Sequence, residues 1–265
     1  MSRPDKCITY LRERGYSVVR MPRSDLRPLQ TLLRTGKKDL ARLGELSTIT
    51  TAGSNPLPSV SVDNTAPDDI SGSATSSIKV EIGLQILGSI IGALGGQPMG
   101  LGTVYHNAKT LTFKFEDVLE DHVDLDKLDR YLSLASIKAD QKMVLDALID
   151  DAVYVITSVI KTAKITVNAH IDKNAGASVA VPTIQEIASA NLSVDTTGAR
   201  DGTLVYRGKS PIIFGFQATQ LFYGDDGAYT TTNPLDAGKM AAKAAGTLSP
   251  TLLSLDEGVF FRLKD

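Results

Sequence analysis

The sequence predicts an α+β fold: a twisted central antiparallel sheet with surrounding helices, closed by a short C-terminal tail. Three observations predict it. Two stretches, 77–118 and 151–195, each contain runs in which apolar and polar residues alternate, the period of a half-buried strand. Leucines recur at three- and four-residue steps in 29–46 and in 125–134, the period of amphipathic helices. A small, polar linker, Asp236–Gly246, then separates the body from a last apolar segment. Two units follow from this: 1–246 as the domain and 247–265 as the tail.

The elements run in this order. Tyr16–Met21 reads as a strand that stops at Pro22. Leu29, Leu32, Leu33, Leu40, Leu43 and Leu46, interrupted by Gly36, predict one or two short amphipathic helices. Residues 51–76 are rich in Ser, Thr, Asn, Pro, Asp and Gly and read as loop. From Ile78 the run IKVEIGLQI puts Ile78, Val80, Ile82, Leu84 and Ile86 on one face and Lys79, Glu81, Gly83 and Gln85 on the other. After a glycine-rich connection, TLTFKFE puts Leu111, Phe113 and Phe115 on one face and Thr110, Thr112, Lys114 and Glu116 on the other. Two such runs predict paired antiparallel strands. Residues 117–150 predict an outer, acidic helical layer. The stretch 151–195 repeats the plan: Val153, Val155 and Val159, then Ile165, Val167, Ala169 and Ile171 alternating with Thr166, Asn168, His170 and Asp172. Asn174–Gly176 is a turn signal before a return segment. Thr203–Tyr206, Ile212–Gln217 and Thr219–Tyr223 read as short strands with a turn at Gly208.

Composition narrows the function classes. With 42% hydrophobic residues, the chain has material for a sizeable core. Its net charge of −2 argues against a dedicated nucleic-acid binder. The charge is uneven: residues 1–50 hold eleven Lys and Arg against five acids, so this end is basic and the body acidic. That asymmetry fits an anionic partner. The single cysteine, Cys7, allows no internal disulfide and fits a reducing compartment. The charged start has no apolar core region of a secretory signal. The most apolar stretch, Ile82–Leu94, has thirteen residues, short of the ~20 that a transmembrane helix needs. Trp is absent, so no Trp belt forms at a membrane interface. A cytoplasmic resting protein is expected.

No catalytic or metal constellation emerges. His122 lies among Glu120, Asp121, Asp124 and Asp126, but the spacing matches no cation loop and reads as a solvated acidic segment. Cys7 has no histidine near it in sequence to activate a thiol. GALGGQPMGLG lacks the order of a phosphate or dinucleotide loop. An enzyme, a resident metal and a cofactor are therefore not expected.

Two readings remain at the level of residues. Runs such as Ile78–Ile86 and Lys164–Asp172 have the ~9–11-residue length of a membrane-spanning strand, and the adjoining glycines leave register loosely set. The same alternation also describes the half-buried sheet of a cytosolic ligand- or partner-binding protein whose tail is its last strand. Arg34, Lys37, Lys38 and Arg42 make a basic face on the predicted leucine-bearing helix. That face is either simply solvated or set against anionic lipid headgroups. Cys7, beside Ile8, Tyr10 and Leu11, is either a small buried hydrophobe or a site for an acyl thioester. The tail carries apolar Leu252, Leu253, Leu255, Val259, Phe260 and Phe261. Ordering it costs enough backbone entropy that it would bind weakly as a free peptide; tethering raises its effective concentration, so a cut in the linker releases it.

CITYLRERGYSVVRMPRSDLRPLQTL resembles the opening of bacterial gasdermins: an early Cys, a Gly-Tyr, a Val-rich strand, a Pro and a Leu-x-Pro-Leu step. DAVYVITSVIKTAKITV resembles the family's Val-Tyr-Val-x-Thr strand before its second membrane-inserting hairpin. The order of parts matches over essentially the whole chain. The resemblance implies a gasdermin N-domain-like fold and a bacterial defence effector that causes cell death. It implies an intact protein in the cytoplasm, silenced by the tail, and cleavage before the tail by a caspase-like or other protease. The freed domain then joins further copies of itself in a β-barrel pore in the inner membrane. It implies membrane-inserting strands around Ile78, Val80, Ile82, Leu84, Ile86, Leu111, Phe113, Phe115, Ile165, Val167, Ala169 and Ile171. It implies a palmitoyl group on Cys7. The cleavage region is set at Met240–Leu248, with Gly246 inside it and Lys239 and Lys243 as nearby basic residues.

Overall fold

The computed structural model describes residues 16–23, 25–36, 39–63, 78–93, 96–138, 140–171, 192–195, 203–223, 229–230 and 262–264. Along the chain come strands β1 (Ser17–Arg23), β2 (Gln30–Arg34) and β3 (Asp39–Glu45), and then the single-turn helix α1 (Leu46–Ile49). Short strands β4 (Thr50–Thr51), β5 (Ser61–Asp63) and β6 (Ile78–Lys79) lead to helix α2 (Val80–Ala93) and a further turn, α3 (Leu101–Val104). Strands β7 (Ala108–Glu116) and β8 (Leu119–His122) precede a helical layer. That layer is α4 (Leu125–Leu132), β9 (Ser136–Ile137) and α5 (Lys142–Ile149). The long strand β10 (Val153–Ile171) is followed by β11 (Leu192–Asp195), the equally long β12 (Thr203–Gln220), β13 (Phe222–Tyr223), β14 (Tyr229–Thr230) and β15 (Arg262–Lys264).

Eleven of these strands form one sheet, whose main path is β1-β12-β10-β2-β3-β15. The pairings are antiparallel except for β15, which lies parallel to β3. This is the expected α+β architecture around an antiparallel sheet. β10 is its spine. One edge of β10 bonds β12 from Tyr154 to Asn168. The other edge is divided in order among β2, β8 and β7.

Apolar residues collect on both faces of that spine. Val153 and Val155 join Leu128, Tyr131, Leu132, Val144 and Leu148 beneath α4 and α5. Their neighbours Tyr154 and Ile156 pack instead with Leu32, Leu40 and Phe216. The unbroken apolar run Val153–Ile156 is what a strand covered on both faces requires. A register shift between Ile156 and Ser158 then changes which residues face which core.

Four expectations are corrected. The leucines of 29–46 build the hairpin β2–β3 and α1, not amphipathic helices. The hairpin is buried on both faces, with Leu32 in one core and Leu33 against the other, so its leucines do not alternate. The run from Ile78 is strand for only two residues and then becomes α2. Gly83, Leu87, Ile90 and Ile91 are buried, at helical spacing, so packing against the sheet overrides the local alternation. β12 runs unbroken through Gly208 and Pro211, where the sequence reads as a turn. The residues from Gly208 to Pro211 form an irregularity between Lys164↔Arg207 and Thr162↔Ile212, which removes Pro211 from the ladder. β1 likewise continues through Pro22, at a register shift.

The layer at 125–149 is helical as expected. Asp124 caps α4, accepting from the amides of Asp126 and Lys127. The preceding loop locks onto this layer at Gly53, where a Cβ would stand 2.3 Å from the Leu134 carbonyl oxygen. Backbone cannot move aside as a flexible side chain can. Gly53→Ala is expected to cost about 1–3 kcal/mol and to lower the midpoint of thermal unfolding by several degrees. Gly36→Ala, whose nearest new contacts are at 3.9 Å, is the matched control and should lie close to wild type.

Candidate functional site: a helix-covered strand pair and the C-terminal strand

β7 and β10 meet in a register that sorts their side chains. Ile165 faces Phe115, Val167 faces Phe113 and Ala169 faces Leu111. Between them Thr166 faces Lys114, Asn168 faces Thr112 and His170 faces Thr110. Apolar thus meets apolar on one face and polar meets polar on the other. The two runs that the sequence assigned to separate strand pairs are direct neighbours. Of the pairing expected between 78–86 and 110–116, Ile78↔Leu111 and Lys79↔Thr110 remain.

The apolar face is closed over by α2. Leu87, Ile90 and Ile91 pack in one core with Leu111, Phe113, Phe115, Ile165 and Val167. Val80, Leu84 and Ile86 lie partly buried against it. The side chains of Ile78, Ile82 and Ile171 are outside the described residues. Phe115 stacks on Phe214 of β12, with ring centroids 4.2 Å apart. Beside the helix, the hydroxyls of Tyr105 and Tyr206 lie 3.1 Å apart and fully buried. On the polar face, the Thr112 hydroxyl is 2.8 Å from His170 Nε2, and the Thr203 hydroxyl donates to Asn168.

Charge pairs mark where this strand pair ends. Lys164 Nζ lies 3.1 Å from Glu116, and Lys161 Nζ 2.5 Å from Asp121. Tyr16 donates to Glu120 at 2.5 Å, and Ser158 donates to the same oxygen. Burial, followed by the bond to Glu120, pushes the Tyr16 hydroxyl well above its ordinary pKa. Between β7 and β8, Asp117 adopts a φ of +50° and lets the edge of the sheet pass from one strand to the next. Sequence reading missed these pairs. Oppositely charged Glu116 and Lys164 at the ends of two alternating runs signal the register, once β7 is placed beside β10.

Arg34 and Arg42 are not on a helix. Arg34 ends β2, and Arg42 on β3 is 2.6 Å from Asp25. The register of the hairpin, Arg34↔Leu40 and Leu32↔Arg42, sets the two arginines on neighbouring strands instead of along one helix. Lys37 and Lys38 are outside the described residues. So are Cys7, the cleavage-region residues Lys239, Met240, Lys243, Gly246 and Leu248, and the tail residues Leu252, Leu253, Leu255, Val259, Phe260 and Phe261. The last strand is described: Arg262, Leu263 and Lys264 pair with Asp39, Leu40 and Ala41. β15 also runs beside β1, the other end of the sheet path. No helix among the described residues is long and apolar enough to cross a membrane, which says nothing of strands. Among the described residues no group of three or more His, Cys, Asp or Glu is placed to hold a metal.

The family model described as Bacterial Gasdermin Family matches residues 19–231. The chain belongs to this family. A gasdermin from a Desulfuromonadales bacterium is 42% identical over 243 residues, covering 91% of this chain and 90% of that protein. A gasdermin from Lysobacter enzymogenes is 36% identical over 242 residues, covering 91% and 88%. The solved bacterial gasdermin from Bradyrhizobium tropiciagri superposes with a TM-score of 0.56 at 15% identity, covering 99% of this chain and 97% of that one. It shares the fold. Membership of the gasdermins supports a pore-forming protein.

The tyrosine pair gives this site a direct test. Tyr105→Phe removes one hydroxyl and strands the other in the core, which costs about 1–3 kcal/mol. Replacing both by Phe keeps the shape and strands nothing. Urea unfolding should therefore find the double variant more stable than either single one.

Proposed function

We propose that this gasdermin is the autoinhibited precursor of a membrane pore. Proteolytic removal of the tail, residues 247–265, permits domain 1–246 to oligomerise into a large β-barrel pore in the bacterial inner membrane. The cell dies, as a defence against phage. The intact protein is cytoplasmic. Its partners are a caspase-like or other protease, anionic lipids and further copies of itself.

Family membership carries this reading, and the strand pair supports it. β7 and β10 already present matched apolar and polar faces over about the length that a membrane strand needs. The segment covering their apolar face holds the third alternating run. In the extended form Ile78, Val80, Ile82, Leu84 and Ile86 share one side, and a hairpin with Leu111, Phe113 and Phe115 becomes available. The parallel contact of β15 with β3 supports a tail held on the sheet edge, where its loss leaves backbone donors and acceptors unpaired. Lys37 and Lys38, with Arg34, supply the contact with anionic headgroups. Cys7 carries a palmitoyl chain, which gives only marginal membrane binding alone and reinforces the contact made by the domain.

The deciding experiment compares a chain ended at Gly246 with the full chain on dye-loaded vesicles. The shortened chain should empty anionic vesicles while the full chain leaves them intact. A shortened chain that unfolds and aggregates without leakage would identify the tail as a structural strand of a binding protein.

Intact-mass measurement of the protein from its native host should find the mass of one palmitoyl group on part of the population, abolished by Cys7→Ala. An unmodified mass throughout sinks the acylation.

A further inference from the structure

Three glycines lie inside α2, at positions 83, 88 and 92. Each costs the helix stability relative to alanine. Only the first has a packing reason. At Gly83 a Cβ would stand 3.0, 3.1 and 3.2 Å from Cδ1, Cβ and Cγ of Leu111, so the bare backbone lets α2 settle onto β7. At Gly88 the nearest atoms would be Pro98 Cβ at 3.5 Å and Leu101 Cδ1 at 3.7 Å, which is ordinary contact. At Gly92 no atom of the described residues lies within 4 Å. Alanine fits both positions. The last turn also lacks a basic residue to complement the helix dipole.

We infer that these glycines set how readily α2 leaves the resting sheet: Gly83 is the seat that fits only the closed helix, and Gly88 and Gly92 keep that helix weak. The inference rests on the pore reading above, in which this segment extends. Gly83 changes sides between the two forms. In the helix it is buried on the face of Leu87, Ile90 and Ile91. In the alternating register it falls with Lys79, Glu81 and Gln85 on the polar side. A side chain at 83 therefore opposes the closed form and leaves the extended one free. Valine adds to this, because its branched Cβ favours strand over helix. Gly88 and Gly92 lie beyond the alternating run that ends at Ile86. Alanine there strengthens the helix and leaves the extended run as it was.

The test uses the full chain with a sequence-specific protease site placed between Met240 and Leu248. The chain is cut in the presence of dye-loaded anionic vesicles. Gly88→Ala and Gly92→Ala should each lengthen the half-time of release, by roughly two- to fivefold. Gly83→Val should shorten it. Hydrogen exchange across 80–93 in the uncut chain should be slower in both alanine variants and faster in Gly83→Val. Alanine variants with unchanged release and exchange overturn the inference, and so does a folded Gly83→Val that is no faster. If Gly83→Val does not fold, the alanine variants decide. If the cut wild-type chain releases no dye, the pore reading fails, and exchange alone decides: the stated order upholds the weak helix and any other order overturns it.

Discussion

The pairing of β10 with β12 is the constraint on which the other strands depend. It joins Tyr154–Asn168 to Gln220–Thr203 and supplies one continuous edge. Every other strand bonded to β10 takes a share of the opposite edge. That share is Val153–Val155 for β2, Ser158–Lys161 for β8 and Lys164–Ile171 for β7. No other strand could set their relative positions, because β2 and β7 do not bond each other. Register shifts between Ile156 and Ser158 and between Thr162 and Lys164 do the rest. At each, the extra residue in β10 changes which residues face which side, and the one strand serves the helical layer at its start and α2 at its end.

Much of this was legible because alternation and burial coincide where only one face is apolar. Ile165, Val167 and Ala169, with Leu111, Phe113 and Phe115, are buried as the period of two requires. The helices at 125–149 were legible for the same reason: Leu128 and Leu132 are buried, while Leu125 and Leu134 lie on the open side. The hairpin β2–β3 was not. Leu32 and Leu40 feed one core while Leu29, Leu33 and Leu43 feed another. Two faces filled at once leave no period of two to read, and spacings of three and four survive by coincidence. β12 was read as separate strands because Gly208 and Pro211 are turn residues in most settings. Here they stand in an irregularity of the pairing with β10, where Pro211 needs no ladder partner and Gly208 pairs on the other edge with Leu192 of β11.

Partner choice was less legible than strand identity. Sequence proximity pairs 78–86 with 110–116; two residue pairs of that hairpin are present, Ile78↔Leu111 and Lys79↔Thr110, and the longer partner of β7 is β10, some fifty residues away in the chain. The correct register also satisfies the charges, since Glu116 meets Lys164 and Asp121 meets Lys161. Both pairs are largely removed from water, so a register slip would leave charges buried without partners, at several times the cost of losing an exposed pair. The same reasoning applies less strongly at β15. Among the described residues three pair through the backbone at this sheet edge, and a contact of that size gains from being tethered.

The segment 78–93 is where local pattern and tertiary structure part. Its first nine residues alternate without exception, yet the helix wins. The helix buries Leu87, Ile90 and Ile91 completely, and these lie outside the alternating run. A strand ending at Ile86 would have left them without that cover. Conversely, an ideal amphipathic helix would have no reason to place apolar residues at every second position from Ile78. The segment satisfies one period with its first half and the other with its whole length. That overlap is costly to specify by chance in one stable fold, and it is what a chain with two arrangements of the same residues requires. The alternation is therefore informative: Val80, Leu84 and Ile86 lie partly buried in the resting helix, and the extended form proposed above would give the same residues a single side.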